Sequence, residues 1–303
     1  MKKLVPIALG LALVAALAAG CGKSNPSQPQ ELTATPTPQD IAQVNDAVAA
    51  SPEYVDENVY ESNDPMQLDA DGSGMAAIRP LYWWRTIRSV TRSYDVAYTN
   101  PDSTGRPLLA VVTIHKRLLG GFHILAGDST AVPSSLVRKP LDDRWERRLL
   151  LRREPRNDST GIVIWRLVGT SGVKVTSAEA GTHIQSVRVQ AGVLDTTITA
   201  PLEMHRLRRV LHIPTGTQVV LTVKTTRDND VVLLYRWMHR ARFHNDGGGQ
   251  YTIRWTTGND GGLRHFGVNA LSHGTLYDDA APYDSQAWIF PFVVHDADDH
   301  LGG

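Results

Sequence analysis

Apolar and polar residues alternate with a period of two along much of this chain, and this alternation constrains the fold more than any other feature. Between residues 90 and 98, Val and Tyr alternate with Thr, Ser and Asp, and a second alternating run covers residues 108–118. The turn sequence Asn-Pro-Asp-Ser-Thr-Gly separates them at 100–105. Because alternate side chains of a strand lie on opposite faces, the two runs predict a hairpin. Residues 145–153 and 162–168 predict two further strands.

Short strand signals dominate from Val173 onward, where helical patterns nearly vanish. Seven apolar runs follow one another at short intervals, with turn residues between them. Short strands at this spacing are typical of an antiparallel sandwich. The predicted strands are 184–189, 196–199, 219–225, 231–237, 251–256, 263–270 and 287–294.

Helical signals are confined to the beginning of the predicted folded region. Thr37 can cap a helix N-terminus, Pro38 suits the first helical position, and Asp40 favours the positive end of the helix. The Ser-Pro pair at 51–52 ends this helix and starts a further helical turn. Three apolar residues at helical spacing predict that one face is buried. They are Ile41, Val44 and Val48.

The N-terminus has the charged, apolar and small-residue regions of a secretory signal peptide. Two lysines precede the almost entirely apolar residues 4–19, and small residues precede Cys21. The apolar stretch is short for a bilayer span. The sequence Leu-Ala-Ala-Gly-Cys at 17–21 resembles the lipobox of bacterial lipoproteins, although Ala18 stands where that family usually has Leu.

The lipobox resemblance implies cleavage before Cys21 and acylation of its thiol. Several acyl chains would then anchor the mature protein stably in the lipid bilayer. Residues 21–37 are rich in Ser, Pro, Gln and Thr, which predicts a disordered tether. Gly22 follows the cysteine in place of Asp, and in this family that favours the outer over the inner membrane. We therefore expect a lipid-anchored protein of the cell envelope.

Cysteine content and charge limit the chemistry of the folded part. Cys21 is the only cysteine, so its acylation would leave no thiol for a disulfide, a nucleophile or a metal site. The chain carries 31 Lys and Arg against 31 Asp and Glu, and the signal peptide holds two of the lysines. No overall basic field points to nucleic acid as a partner.

Two further resemblances suggest the domain architecture. A helix followed by long strands that end in Trp-Arg-Leu-Val-Gly at 165–169 resembles cystatin-like or nuclear-transport-factor-2-like folds over residues 38–176. The sequence from Asp246 to Trp255 resembles bacterial immunoglobulin-like and fibronectin-like domains, in which an Asp and Gly turn precedes a corner Tyr. The implied fold is mainly β, with a small α+β domain of one helix and a curved antiparallel sheet followed by an immunoglobulin-like β-sandwich. The expected layout is a signal peptide at 1–20, a tether at 21–37, an α+β domain at 38–176, a sandwich at 177–295 and a flexible tail at 296–303.

One segment has the spacing of a calcium loop. The sequence Asp-Ala-Asp-Gly-Ser-Gly at 69–74 resembles the first half of an EF-hand loop, with oxygen ligands from Asp69, Asp71 and Ser73. The twelfth position is Pro80 and not a bidentate Glu. We interpret the segment as a solvated turn, with a calcium site as the alternative, and expect no other cofactor.

Aromatic residues before the first long strand form a candidate binding site. Trp83 and Trp84, next to Tyr82, can stack on a sugar or a peptide. The alternative is packing in the core or at a domain interface, which is more common for aromatic side chains beside a strand.

Eight basic residues between 138 and 156 form a second candidate. Arg147 and Arg152 in this stretch can hold an anionic glycan, a lipid headgroup or an acidic partner. We favour the alternative, a solvated strand face whose charges form surface ion pairs. The neighbouring acids are Asp142, Asp143, Glu146 and Glu154.

Signals for catalysis are weaker. The late histidines lie among aspartates and can supply zinc ligands, but no HExxH arrangement orders them. Residues 169–173 break the Gly-x-Ser-x-Gly pattern at its last position, and no P-loop or dinucleotide fingerprint is present. The late histidines are His265, His273, His295 and His300.

We therefore expect an envelope lipoprotein that acts as a binding or scaffolding module for a protein or glycan partner. Loops at the ends of the sandwich, or the concave sheet of the first domain, would make the contact. The alternative is an envelope hydrolase with its pocket in residues 38–176 and the sandwich as an accessory module. A buried cleft with converging polar groups of shifted pKa would favour the hydrolase.

Overall fold

A computed structural model describes residues 34–55, 60, 65–67, 76–127, 132–155, 163–236 and 239–296. The predicted lipidation site at Cys21 and the calcium alternative at Asp69, Asp71 and Ser73 lie outside the described residues. The predicted signal peptide at 1–20, most of the tether and residues 297–303 of the predicted tail also lie outside them.

The main helix begins at the predicted cap. α1 is Pro38–Ala49, and the side chains and backbones of Thr37 and Asp40 bond reciprocally in a capping box. Val44 and Val48 are buried as expected, but Ile41 is 45 % exposed and does not belong to the buried face. A second helical segment, α2, follows at Pro52–Val55.

Asp40 also connects α1 to the strands beside it. Its Oδ1 accepts hydrogen bonds from Arg106 Nη2 at 2.8 Å and from the Trp165 indole at 3.1 Å. Burial raises the pKa of this carboxyl, but the hydrogen bonds from Thr37, Arg106 and Trp165 outweigh burial and lower the pKa to about 2.

Strands make up most of the described chain. Within the described residues, eleven strands form one sheet, called the large sheet, in the order β1-β2-β3-β4-β5-β16-β15-β11-β12, with β8 beside β5 and β9 beside β16. Five strands form the small sheet, in the order β13-β14-β10-β6-β7. All pairings are antiparallel except β9 with β16. The strands are β1 Met66–Gln67, β2 Arg79–Pro101, β3 Pro107–Gly127, β4 Pro133–Pro155, β5 Val163–Ser177, β6 Ile184–Ala191, β7 Leu194–Ile198, β8 His205–Arg206, β9 Leu211–Pro214, β10 Gln218–Thr225, β11 Val231–Arg236, β12 His239–Arg242, β13 His244–Gly247, β14 Gln250–Thr256, β15 Gly262–Leu271 and β16 Ser285–His295.

The large sheet curls so that strands far apart in its order meet on its inner face. Arg85 of β2 donates a hydrogen bond of 3.0 Å to Asn269 of β15. The guanidinium carbon of Arg240, on β12, lies 5.7 Å from the centre of the Trp83 ring on β2. An apolar core fills the inner face and includes Val44 and Val48 of α1.

A polar cluster lies within this inner core. The hydroxyls of Tyr60 and Tyr283 donate to Asp143 Oδ2 at 2.9 and 3.1 Å, and the Arg85 guanidinium lies 4.1 Å from the centre of the Tyr60 ring. Burial raises the pKa of Asp143 and, further still, that of Tyr60. Arg85 and Asp143 therefore lie in the same buried region, surrounded by tyrosine hydroxyls and rings.

The small sheet packs against the outward face of the large sheet at β16, β15 and β11. Leu221 and Tyr251 of the small sheet share one buried cluster with Val268, Phe266 and Trp288 of the large sheet. Beside this cluster, the outward positions of β3, β4 and β5 include the charged residues Arg117, Arg144 and Lys174.

The prediction of a mainly β protein with antiparallel sheets is confirmed. The hairpin is β2 and β3, which are longer than predicted, and each of the seven later strands is present within a few residues of its predicted bounds. A third helix, α3 His273–Tyr277, was not predicted. Strands β5 and β16 lie on opposite sides of the predicted boundary at 176/177 and pair directly in the large sheet. Among the described residues, no helix combines the length and apolar character that crossing a bilayer requires.

Candidate ligand-binding groove

The outward positions of β3, β4 and β5 form a charged surface. On β4, Arg144 and Glu146 alternate with the buried Asp143, Trp145 and Arg147. Strand pairing places neighbouring outward residues side by side: Arg117 beside Arg144, His115 beside Glu146, and Glu146 beside Lys174. Because successive side chains of a strand lie on opposite faces, the charged residues at every second position of this region share one face of the sheet.

A first cavity of about 530 Å³ lies over this surface. It crosses four strands, because its lining includes residues of β2, β3, β4 and β5. The lining residues with charged or polar outward side chains are Thr91, Ser93, His115, Arg117, Arg144, Glu146, Lys174 and Thr176.

A second cavity of about 560 Å³ lies where β6 of the small sheet approaches β5 and β16 of the large sheet. Arg148, Lys174 and Trp288 line it from the large sheet, and His183 and Glu203 line it from the connections of the small sheet. Lys174 borders both the first and the second cavity. The two cavities are therefore neighbours.

A third cavity of about 690 Å³ adjoins the second one. It shares Thr199, Ala200, Pro201 and Glu203 with the second cavity. Its other lining residues combine an apolar surface with cations, and include Leu194, Ile198, His205, Arg208, Arg209, Leu211, His212 and Phe290. We call the three adjoining cavities the outer groove.

The outer groove has more positive than negative side chains. Its lining includes eight Lys and Arg residues and two acids, Glu146 and Glu203. Arg117 is paired with Asp142 at 2.7 Å, and Arg148 with Glu146 at 3.0 Å. Of the cations that line the groove, four have no carboxylate within ion-pair distance in the described part of the chain. They are Arg144, Lys174, Arg208 and Arg209.

Trp288 lines the second cavity and has a buried indole nitrogen. This side chain is 3 % exposed and lies opposite Lys174 in the β5–β16 pair. Its indole nitrogen is buried and has no hydrogen-bond partner among the described residues. The nearby Gln286 differs, because its Oε1 accepts from Ile184 N at 2.7 Å. A buried donor without an acceptor costs free energy, and three further indole nitrogens are buried without a partner in the described part of the chain, those of Trp83, Trp145 and Trp255.

The histidine His212 contributes a neutral ring to the third cavity. Burial and the neighbouring His295 lower its pKa from 6.5, and the two ring centres are 6.0 Å apart. At neutral pH the positive charge of this cavity therefore comes from Arg208 and Arg209.

None of the four binding residues predicted from the sequence lines the outer groove. Trp83 is fully buried and stacks on Phe122, and the buried Arg147 donates to the backbone oxygen of Tyr54. Both side chains face the inner core. Trp84 lies on the outward face, where it stacks on His123 at 5.1 Å.

The remaining predicted residue, Arg152, is exposed and paired with Glu154. With the Arg148–Glu146 pair, it fits the interpretation of a solvated strand face for part of the 138–156 stretch. Arg153 pairs instead with Asp102, in the β2–β3 turn. The structure does not bring Trp83, Trp84, Arg147 and Arg152 together.

Sequence reasoning missed the groove residues for identifiable reasons. The alternation at 143–148 already separates Arg144 and Arg148 from Arg147, and this signal could have identified the outward set. Nothing local marks Lys174, Trp288 or Arg208 as neighbours. Within the described ranges, no group of three or more His, Cys, Asp or Glu side chains can hold a metal ion.

Comparisons with known proteins give little further information. No protein-family model matches this chain. No curated protein matches it in sequence. Among solved structures, the chain is similar to "Bacteroides ovatus mixed-linkage glucan utilization locus (MLGUL) SGBP-B in complex with mixed-linkage heptasaccharide", with 9 % identity and a TM-score of 0.18, over 78 % of this chain and 71 % of that chain.

Proposed function

We propose that this protein is a lipid-anchored binding module of the bacterial envelope that holds a linear glycan in the outer groove. The observation that carries this proposal is the continuity of the three cavities through Lys174 and through the 199–203 segment. A long open groove suits a polymer, whereas a small metabolite is usually held in a single deep pocket.

The groove chemistry suits sugar hydroxyls. Arg and Lys side chains supply donors, Glu203 supplies acceptors, and Thr176 and Thr199 can act as both. The Trp288 side chain lines the same cavity beside Lys174. These groups lie on strands or next to them, so the binding surface is held by sheet hydrogen bonds.

The anchor and the finer fold belong to the same proposal. Acylation of Cys21, with the following residues as a tether, would hold the groove at the membrane surface, with the outer membrane as the favoured location. We also assign the small sheet and its partners β16, β15 and β11 to an immunoglobulin-like module. Supporting this, Tyr251 follows the predicted glycine turn, is buried, and donates to Arg227 O at 3.2 Å.

A glycan-binding assay tests the groove. The chain from Thr33 onward would be titrated calorimetrically with a panel of soluble neutral and acidic polysaccharides. Two variants change the groove: K174A at the junction of the first two cavities, and A200W, which adds bulk where the second and third cavities meet. K224A is the matched control, because Lys224 is exposed on the small sheet outside the groove.

We expect at least one polysaccharide to bind, with A200W and K174A each weakening binding about tenfold or more and K224A unchanged. Absence of binding across the panel would contradict the proposal, as would groove variants that bind like the unmodified chain. The anchor is tested separately by mass spectrometry of the N-terminal peptide from the envelope fraction. Acylated Cys21 is expected, and an unmodified thiol on the mature protein would overturn lipidation.

A further inference from the structure

We infer that the outer groove selects a polyanionic glycan, one that carries carboxylate or sulfate groups along its length. This inference rests on the proposed function, because it specifies the ligand class of the same groove. Four cations without an ion-pair partner in the described structure carry it, at separate positions along the groove: Arg144 and Lys174 in the first two cavities, and Arg208 and Arg209 in the third.

The first two cations are neighbours on the outward face of the sheet. In the β4–β5 strand register, Arg144 lies opposite Thr176 and Glu146 lies opposite Lys174. Arg144 and Lys174 are therefore diagonal neighbours on adjacent strands. Diagonal positions of this kind lie about 7–8 Å apart, within reach of long side chains. Arg144 and Lys174 therefore place two positive charges side by side on the groove floor, where an anionic group of a polymer can bind.

The second pair of cations lies at the far end of the groove. Between the two ends are Lys174, Trp288 and the 199–203 segment, and the groove crosses β2, β3, β4, β5 and β16. Four strand spacings correspond to roughly 19 Å. A monovalent small anion would engage one end only, whereas a polyanion reaches both.

The acids of the groove do not cancel this field. Glu146 is already paired with Arg148, and Asp142, which is outside the lining, is paired with Arg117. Glu203 is exposed and lines both the second and the third cavity, where it can accept a hydrogen bond from a sugar hydroxyl. The histidine His212 has a lowered pKa and stays neutral. The cations that remain therefore set the selectivity of the groove.

Matched polymers test the inference. Calorimetric titrations would use polygalacturonate and its full methyl ester, dextran sulfate and plain dextran, and poly-L-glutamate. We expect the charged sugar polymers to bind at least tenfold more tightly than their neutral counterparts, and this preference to shrink as NaCl rises from about 50 to about 500 mM, where screening is strong. The double variant R144A/K174A should lose about tenfold or more in affinity, and K224A should be unchanged.

The results distinguish selectivity for a polyanion from glycan binding as such. Equal binding of a charged polymer and its neutral counterpart would overturn the polyanion inference and leave glycan binding standing. Equal or tighter binding of poly-L-glutamate would overturn it in favour of an acidic protein segment. Failure of every sugar polymer to bind would overturn both the inference and the proposed function. Circular dichroism of R144A/K174A verifies that the variant is folded.

Discussion

Tyr60 donates a hydrogen bond of 2.9 Å to Asp143, and this contact joins the segment after α2 to the middle of β4 inside the inner core. Tyr283 donates to the same carboxylate oxygen at 3.1 Å, and Arg85 lies over the Tyr60 ring. One buried carboxylate therefore organises groups from three distant parts of the chain.

Replacing Asp143 by Ala should destabilise the protein by about 3–5 kcal/mol, because the change leaves the Arg85 charge buried without a counter-charge. Y283F removes the bond to Asp143 and the 3.2 Å contact with the Tyr60 hydroxyl but keeps the carboxylate, and should cost about 1–2 kcal/mol. Urea denaturation of both variants measures the difference. Equal losses for D143A and Y283F would show that the charge of Asp143 contributes nothing.

Because of the capping-box residue Asp40, the stability of the protein should decrease at acid pH. The folded pKa of Asp40 is about 2 against an ordinary value of 3.8, so its contribution to stability is complete above 3.8 and is lost as pH falls through about 2. D40N should reduce stability at pH 7 by about 2 kcal/mol and flatten this acid limb. D46N, at an exposed position of α1, is the control and should change neither. Thermal unfolding between pH 2 and 7 measures both effects.

Asp230 predicts the opposite dependence. Burial raises its pKa to about 6, with Thr225 and Arg227 opposing the rise. Because the native state holds the proton more tightly than the unfolded chain, stability falls as pH rises from 3.8 to about 6. D230N should therefore be more stable than the unmodified chain at pH 7, by up to about 3 kcal/mol. The exposed D228N is the control, and a D230N variant that is less stable at pH 7 would refute the assignment.

The close approach of β2 and β3 should require glycine at position 120. A Cβ there would lie 1.9 Å from the backbone oxygen of Thr86, so the strands would have to separate locally. G120A should cost several kcal/mol, on the order of 3. A Cβ at Gly258 meets nothing within 4 Å, so G258A should be nearly neutral. Midpoints of urea denaturation compare the two, and a tolerated G120A would contradict the strand contact.

Replacement of Trp288 should affect ligand binding more than the stability of the fold. W288F keeps an aromatic ring in the core but shortens the side chain that lines the second cavity. Stability should change by less than about 1.5 kcal/mol, while affinity for the bound polysaccharide should fall about fivefold to tenfold. Calorimetric unfolding and titration on the same sample test this, and unchanged affinity would remove Trp288 from the site.

Local chemistry explains why much of the secondary structure could be predicted. The capping box at Thr37 and Asp40 depends on residues three apart, and the β2–β3 hairpin depends on alternation and on one turn. Such signals are short in sequence and act through the backbone. The long-range bonds of Asp40 to Arg106 and Trp165 could not be predicted, because no local rule relates those residues.

The candidate site shows the same division. The sequence by itself determined that β4 presents alternate faces, and hence that Arg144 and Arg147 lie on opposite sides of a strand. Only the tertiary structure decided that the face of Arg147 is the inner core, that β5 pairs with β16, and that Lys174 thereby meets Trp288. Pairing between distant strands depends on the closure of the whole sheet around its core, and a period-two pattern is satisfied equally by many partners. For this reason the strands were evident from the sequence and the outer groove was not.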